Sequence, residues 1–234
     1  MDRREFMETM AGAALAIACT GVRRTPHTAR IDKIGIQLYT VRDQMKADFE
    51  GTLAHIAEIG YKEVEFAGYF DHTPADVKAI LARHGLAAPS THIPVTDLDA
   101  YKTAVDGAKA IGHDYIVMPW IPAEKRKTLD DWKKMADLFN HAAQVAHDAG
   151  LQFAYHNHDF EFPKIDGQVP YDLLLSSTDP KLVQLEIDLY WITKAGQDPL
   201  SYFSRWPGRV PLVHVKDSAG APEHKMAEIG RAHV

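Results

Sequence analysis

Residues 151–162, LQFAYHNHDFEF, gather more metal-capable and proton-transferring side chains than any other stretch of this 234-residue chain. After an apolar opening suited to a buried strand come His156, Asn157, His158, Asp159 and Glu161. Alternate side chains of a strand share a face. Ala154, His156 and His158 therefore point one way, and Phe153, Tyr155 and Asn157 the other. Two histidines on one face at a strand's end can grip a metal or a polar substrate. Taken alone they read equally well as half-exposed loop histidines, so the rest of the chain has to decide.

One phrase recurs along that chain: an amphipathic helix, a glycine, then an apolar strand. Leu53, Ile56 and Ile59 lie on one helix face, Gly60 follows, and KEVEF comes next. Val77, Ile80 and Leu81 lead to Gly85; Tyr101, Val105, Ala108 and Ile111 to Gly112; Trp132, Met135, Leu138, Phe139 and Val145 to Gly150. A glycine past a helix end takes the left-handed cap without steric cost. Strands that alternate with helices imply crossover units and a parallel sheet. The pattern predicts seven strands, at about 34–38, 63–66, 87–92, 114–118, 151–157, 182–189 and 210–216. No glycine-rich phosphate loop follows the first, so a (β/α)8 barrel is favoured over a dinucleotide-binding sheet. Such barrels typically need about 250 residues, so the expectation is an incomplete α/β TIM barrel over 31–234, with strand eight missing.

Barrel active sites sit at the C-terminal ends of the strands. Alternation there sets Val64 and Phe66 against Glu63 and Glu65, and Leu185, Ile187 and Leu189 against Gln184, Glu186 and Asp188. It also sets Val213 and Val215 against His214 and Lys216, and places Ser90 with His92. With the apolar faces packed on outer helices, Gln37, Glu65, His92, His156, His158, Asp188, His214 and Lys216 converge at the mouth. Each has a plain structural alternative: Glu65 or Glu186 as a salt-bridged barrel carboxylate, His92 as a hydrogen-bonded core imidazole, Lys216 paired with Asp217. Charged groups are rarely buried without partners, so the set together points to a polar site.

Composition narrows the function. The formal charge of -6 leaves no basic footprint for nucleic acid. A single cysteine, Cys19, excludes an intrachain disulfide and a cysteine metal site. No apolar run reaches the ~18 residues of a membrane span. Residues 1–30 read as a leader and linker: Arg3-Arg4, Phe6 and Met7, then an uncharged run from Met10 to Cys19, resemble a twin-arginine export signal. In that signal, Asp2 and Glu8 replace a hydroxyl residue and a lysine. The expected location is the periplasm, with Cys19 a possible lipid-anchor position.

GIQLYTVRD (35–43), YKEVEFAGY (61–69), THIP (91–94), YHNHDFEF (155–162), EIDLYWITKAGQDP (186–199), GRVPLVHVKD (208–217) and the closing EIGR resemble the sugar phosphate isomerase/epimerase family of xylose isomerase-like barrels. The resemblance implies a divalent metal at the barrel mouth and chemistry beside a sugar carbonyl. It matches Asp188 and His214 to the ligands on strands six and seven. His156 stands where a strand-five glutamate is common, with Glu161 a nearby carboxylate able to substitute. Trp191 stands where some members carry a substrate-contacting histidine, and the strand-eight glutamate has no match. A mixed imidazole and carboxylate site suits manganese, zinc or cobalt better than magnesium.

The expected activity is a metal-dependent sugar isomerase or epimerase working through an enediolate, with Glu161 as base and His158 the alternative. Lys216 is expected to hold the oxyanion, and Gln37, Glu65, His92 and Trp191 to hold the small-molecule sugar. Rival readings are a lyase or hydratase on 3-keto-glycosides, a non-catalytic exported sugar-binding barrel, and a nuclease of the apurinic-site type, which the acidic balance disfavours. The oligomeric state is not legible.

Overall fold

The computed structural model describes residues 34–222 and 224–227. The expected leader over 1–30, with Arg3-Arg4 and Cys19, lies outside the described residues.

Seven strands form one sheet in sequential order: β1 (Gly35–Gln37), β2 (Glu63–Phe66), β3 (Ala87–His92), β4 (Tyr115–Met118), β5 (Gln152–His156), β6 (Val183–Asp188) and β7 (Leu212–His214). Every neighbouring pair is parallel. The strands fall within about two residues of the ranges predicted from the helix–glycine–strand phrase. Among the described residues β1 and β7 each pair on one side only. The sheet is thus an incomplete (β/α)8 barrel, open where one further strand would close it. Beyond β7 a short antiparallel pair, β8 (Asp217–Ser218) and β9 (Met226–Ala227), folds back on itself.

The helices are α1 (Arg42–Ala47), α2 (Phe49–Ile59), α3 (Pro74–His84), α4 (Leu98–Ile111), α5 (Leu129–Asp148), α6 (Pro170–Ser177), α7 (Leu189–Lys194) and α8 (Pro199–Arg205). Local sequence sets their ends. Thr73 with Asp76, and Thr128 with Asp131, close capping boxes at the starts of α3 and α5, satisfying amide groups that have no partner inside the helix. Gly60 ends α2 at φ 115°, where a side chain would be strained.

The outer apolar layer packs in two clusters. One joins Leu38, Phe49, Leu53, Val64, Phe66, Val77 and Ile80 around β1–β3. The other joins Tyr101, Ile116, Trp132, Phe139, Phe153, Tyr155, Tyr171, Leu185 and Ile187 around β4–β6. Val213 and Val215 break the expected rule. They are 46% and 63% exposed: they lie at and just past the last strand of the sheet, which no helix follows among the described residues. The rest of the sheet behaves as predicted, and its apolar packing turns the other face, with its polar side chains, inward.

Candidate metal centre and the wall beside it

Every strand of the seven-stranded sheet but β4 delivers one or two polar side chains to the same inner space. Parallel register aligns His156 with Glu186 on β5 and β6, and Asp188 with His214 on β6 and β7. Glu186 is the hub. Its Oε2 lies 2.8 Å from His92 Nε2, 2.9 Å from His156 Nδ1 and 3.3 Å from His214 Nε2. Glu65 closes the far side. It accepts the Ser90 hydroxyl at 2.6 Å, and its Oε1 lies 3.0 Å from His92 Nε2 and 2.9 Å from His214 Nε2. Gln37 Nε2 meets His92 Nδ1 at 3.3 Å. Asp188 Oδ2 stands 3.6 Å from His156 Nε2 and 3.9 Å from His214 Nδ1, with Lys216 Nζ at 2.7 Å.

These contacts set the charges. Burial pushes Glu186 up to about 7, with the facing Glu65 adding to it. Burial also opposes ionisation of Glu65, but His92 and His214 outweigh it and hold that carboxyl well below the usual range. His92 is driven the other way, to about 10: burial lowers it, and Glu65 and Glu186 more than compensate. His156 is held low by burial and by the surrounding histidines.

The residues fit a divalent cation. His92, His156, Glu186 and His214 each offer a ligand atom, and these atoms lie within 4.8 Å of one another. Asp188 Oδ2 is buried, and no hydrogen-bond donor is aligned on it; Lys216 meets it as an ion pair alone. Three imidazoles and a carboxylate form the kind of mixed donor set that borderline transition metals favour.

A wall rises beside the cluster. The His158 ring stacks on Phe160 at 5.3 Å and 11°, faces Trp191 at 5.3 Å, and turns its edge to His156 at 5.0 Å. Burial, then Lys216, drives His158 down to about 4, so the imidazole is neutral. Lys216 and Lys194 sit over the Trp191 ring at 5.5 and 4.5 Å, and Arg126 lies 3.3 Å above Phe160.

Glu161 is not in this site. It is fully buried on the side of Tyr155, accepting the Tyr155 hydroxyl at 2.7 Å and the His158 amide at 2.9 and 3.0 Å. Its expected roles as metal ligand and as base are therefore corrected. The strand ends at His156, and the turn that follows carries Glu161 behind the sheet. His92 and Glu65, expected to orient substrate, lie instead within the metal-capable cluster and directly against it. Glu186 is the residue the ligand reading passed over, although its parity with Asp188 placed it on the inner face.

A sequence model of the xylose isomerase-like TIM barrel family matches residues 53–234, and the chain belongs to that family. It is 26% identical over 188 residues to an inosose dehydratase of Geobacillus kaustophilus (strain HTA426), covering 70% of this chain and 60% of that relative's length. A sugar phosphate isomerase/epimerase from Parabacteroides distasonis ATCC 8503 superposes with a TM-score of 0.72 at 28% identity, covering 80% of this chain and 75% of that one. The IolI protein with a bound zinc atom shares the fold alone, at 15% identity and a TM-score of 0.64 over 83% of this chain and 76% of that one.

Proposed function

We propose that the chain is a metal-dependent enzyme that removes a proton beside the carbonyl of a keto-sugar and then expels a neighbouring substituent, as a lyase or dehydratase. The observation that carries this reading is the cluster of His92, His156, Glu186 and His214 at the C-terminal strand ends. These four residues, with Asp188 beside them, would hold the cation, for which manganese, zinc or cobalt suits the imidazoles better than magnesium. When bound, a divalent ion supplies Lewis-acid stabilisation for the negative charge that develops on the carbonyl oxygen.

The protein's own groups divide the remaining work. His158 replaces Glu161 as the proposed base, because its ring stands beside the cluster, 5.0 Å from that of His156, while the Glu161 carboxyl does not. Lys216 carries the ammonium nearest Asp188 and would hold the oxyanion or protonate the departing oxygen. His158 and Lys216 both face Trp191. An acid and a base on one wall suit loss of a proton and a hydroxyl from the same face of a sugar. Gln37 would orient a substrate hydroxyl from the opposite wall, through its contact with His92.

The dehydratase name of the Geobacillus relative supports elimination. Isomerisation or epimerisation is the second reading, favoured by the name of the Parabacteroides structure, since the same enediolate can be reprotonated. Solvent-deuterium exchange in full-length, metal-loaded protein separates them, using inososes, ketoses and 3-keto-glycosides. Elimination predicts loss of a substituent, with the carbon proton released to solvent; return of labelled sugar without loss means isomerase or epimerase. If metal is retained and no sugar exchanges, the enzyme reading gives way to a sugar-binding barrel.

A further inference from the structure

Glu161 is buried without an ion pair among the described residues, and burial pushes its carboxyl up to about 7. A turn needs only neutral acceptors, so this placement calls for a reason. Both carboxylate oxygens are aimed at one amide, that of His158, at 2.9 and 3.0 Å. Oε1 is also tied to the Tyr155 hydroxyl at 2.7 Å. Tyr155 is itself closely packed: fully buried, with ring contacts to Phe139 at 5.0 Å and Tyr171 at 6.5 Å. The Glu161 carbonyl accepts the Tyr171 amide at 2.9 Å, pinning the far end of the turn to the start of α6.

We propose that Glu161, anchored by Tyr155, is a positioning residue that fixes the backbone of His158 and so aims its ring into the site. The logic is geometric. Beyond His156 the chain leaves the sheet, and period-two alternation no longer fixes where a side chain points. The amide direction at His158 then sets its Cα–Cβ direction, and the clamp fixes that amide. With the clamp in place, the ring lies between Phe160 and Trp191 with its edge to His156. The two Glu161 oxygens, 2.9 and 3.0 Å from the same amide, straddle that N–H as a single carbonyl oxygen does not, which favours a carboxyl group where a single ring orientation is needed.

The inference rests on the proposed role of His158, and its test keeps the two separable. Full-length, zinc-loaded protein is compared with Glu161→Ala, Glu161→Gln, Tyr155→Phe, His158→Ala and the double variant His158→Ala/Glu161→Ala. In Glu161→Ala the His158 amide should exchange with solvent about tenfold faster or more, and the nuclear Overhauser contacts from its ring to Phe160 and Trp191 should vanish. Tyr155→Phe should move both readouts the same way by less, and Glu161→Gln, which keeps an acceptor oxygen, should restore them in part. Zinc content should stay equal to that of the parent in all three. Turnover in Glu161→Ala should fall about 10–100-fold in kcat with little change in KM, and adding that change to His158→Ala should cost nothing further. Unchanged ring contacts and amide protection in Glu161→Ala would overturn the proposal, as would an undiminished loss in the His158→Ala background. If Glu161→Ala fails to fold, Tyr155→Phe and Glu161→Gln decide by the same readouts. If His158→Ala turns over normally, the base assignment falls, while exchange and ring contacts still judge the clamp.

Discussion

Glu161 and Glu186 are two buried glutamates whose carboxyls are both pushed up to about 7 by burial, yet their surroundings differ in kind. Glu186 is met by three imidazoles, each offering a ligand nitrogen within 4.8 Å of the others. Glu161 is met by a phenol and a backbone amide, which donate and have nothing to offer a cation. A perturbed buried carboxylate therefore marks a point of tension, and its neighbours decide whether that tension is catalytic or architectural. The metal-capable region gathers lone pairs. The Glu161 region gathers donors.

The sharpest way to break this comparison is to remove one residue from each side. His156→Ala and Glu186→Gln should weaken cation retention by about 100-fold or more, because each deletes a donor from the cluster. Glu161→Gln should retain metal at the parent's stoichiometry. Elemental analysis after gel filtration reads all three. Equal loss from Glu161→Gln would erase the distinction drawn above. Asp188→Ala sharpens it. If metal survives that change and is lost in Glu186→Gln, the strand-six ligand is Glu186 rather than the aspartate implied by the family resemblance.

That strand-six ambiguity shows how far the sequence reaches. Period-two alternation placed Glu65, His92, His156, Asp188 and His214 on one face, and the structure brings them together. The same rule placed Glu186 there, but a motif with one acidic position per strand favoured Asp188. Glu161 was misplaced for a different reason. It follows the end of β5, where hydrogen bonds specific to the turn, and not strand parity, set side-chain direction. The one local hint was its setting between Phe160 and Phe162, of which Phe162 is buried in the outer core. The helix–glycine–strand phrase located the sheet well because its signals are local. Exposure of Val213 and Val215 was not legible, since it depends on whether a helix covers the outer face at that end of the sheet.

A second test uses proton linkage on the architectural side. Glu161 is fully buried, with its folded value near 7 against an ordinary 4.5. A raised carboxyl binds its proton more tightly in the folded state, so its contribution to stability is greatest below about pH 4.5 and is lost as pH climbs to about 7. Relative to Glu161→Gln, the parent should lose on the order of 3 kcal/mol across that window, since each pH unit between the two values is worth about 1.4 kcal/mol. Urea denaturation of both proteins at pH 4.5, 6 and 8 measures it. A difference independent of pH would mean that Glu161 holds its charge as easily as a surface glutamate does, and the contrast with a tense, buried carboxylate would fail.

The smallest expected effect lies at Asn157, the strap between the two regions. Its side chain is fully buried, and its Oδ1 accepts the Asp188 amide at 3.0 Å. Its Nδ2 lies 3.3 Å from the His158 carbonyl. Asn157 thus ties the end of β5 to the end of β6, one residue from the cluster on one side and one from the clamp on the other. Asn157→Ala would leave the buried Asp188 amide without its acceptor, a loss of about 1–3 kcal/mol. For a domain of this size that lowers Tm by roughly 2–10 °C. Asp188 also caps α7 through Trp191 N–H at 3.0 Å, so a shift of its backbone would move the cap and the cluster together. If the two regions are mechanically separate, Asn157→Ala should lower Tm while leaving metal affinity within about threefold of the parent, as expected for sites without shared partners. A larger loss of metal affinity would show that the architectural side holds the metal-capable side in register, and that the division between Glu161 and Glu186 is one of chemistry and not of mechanics.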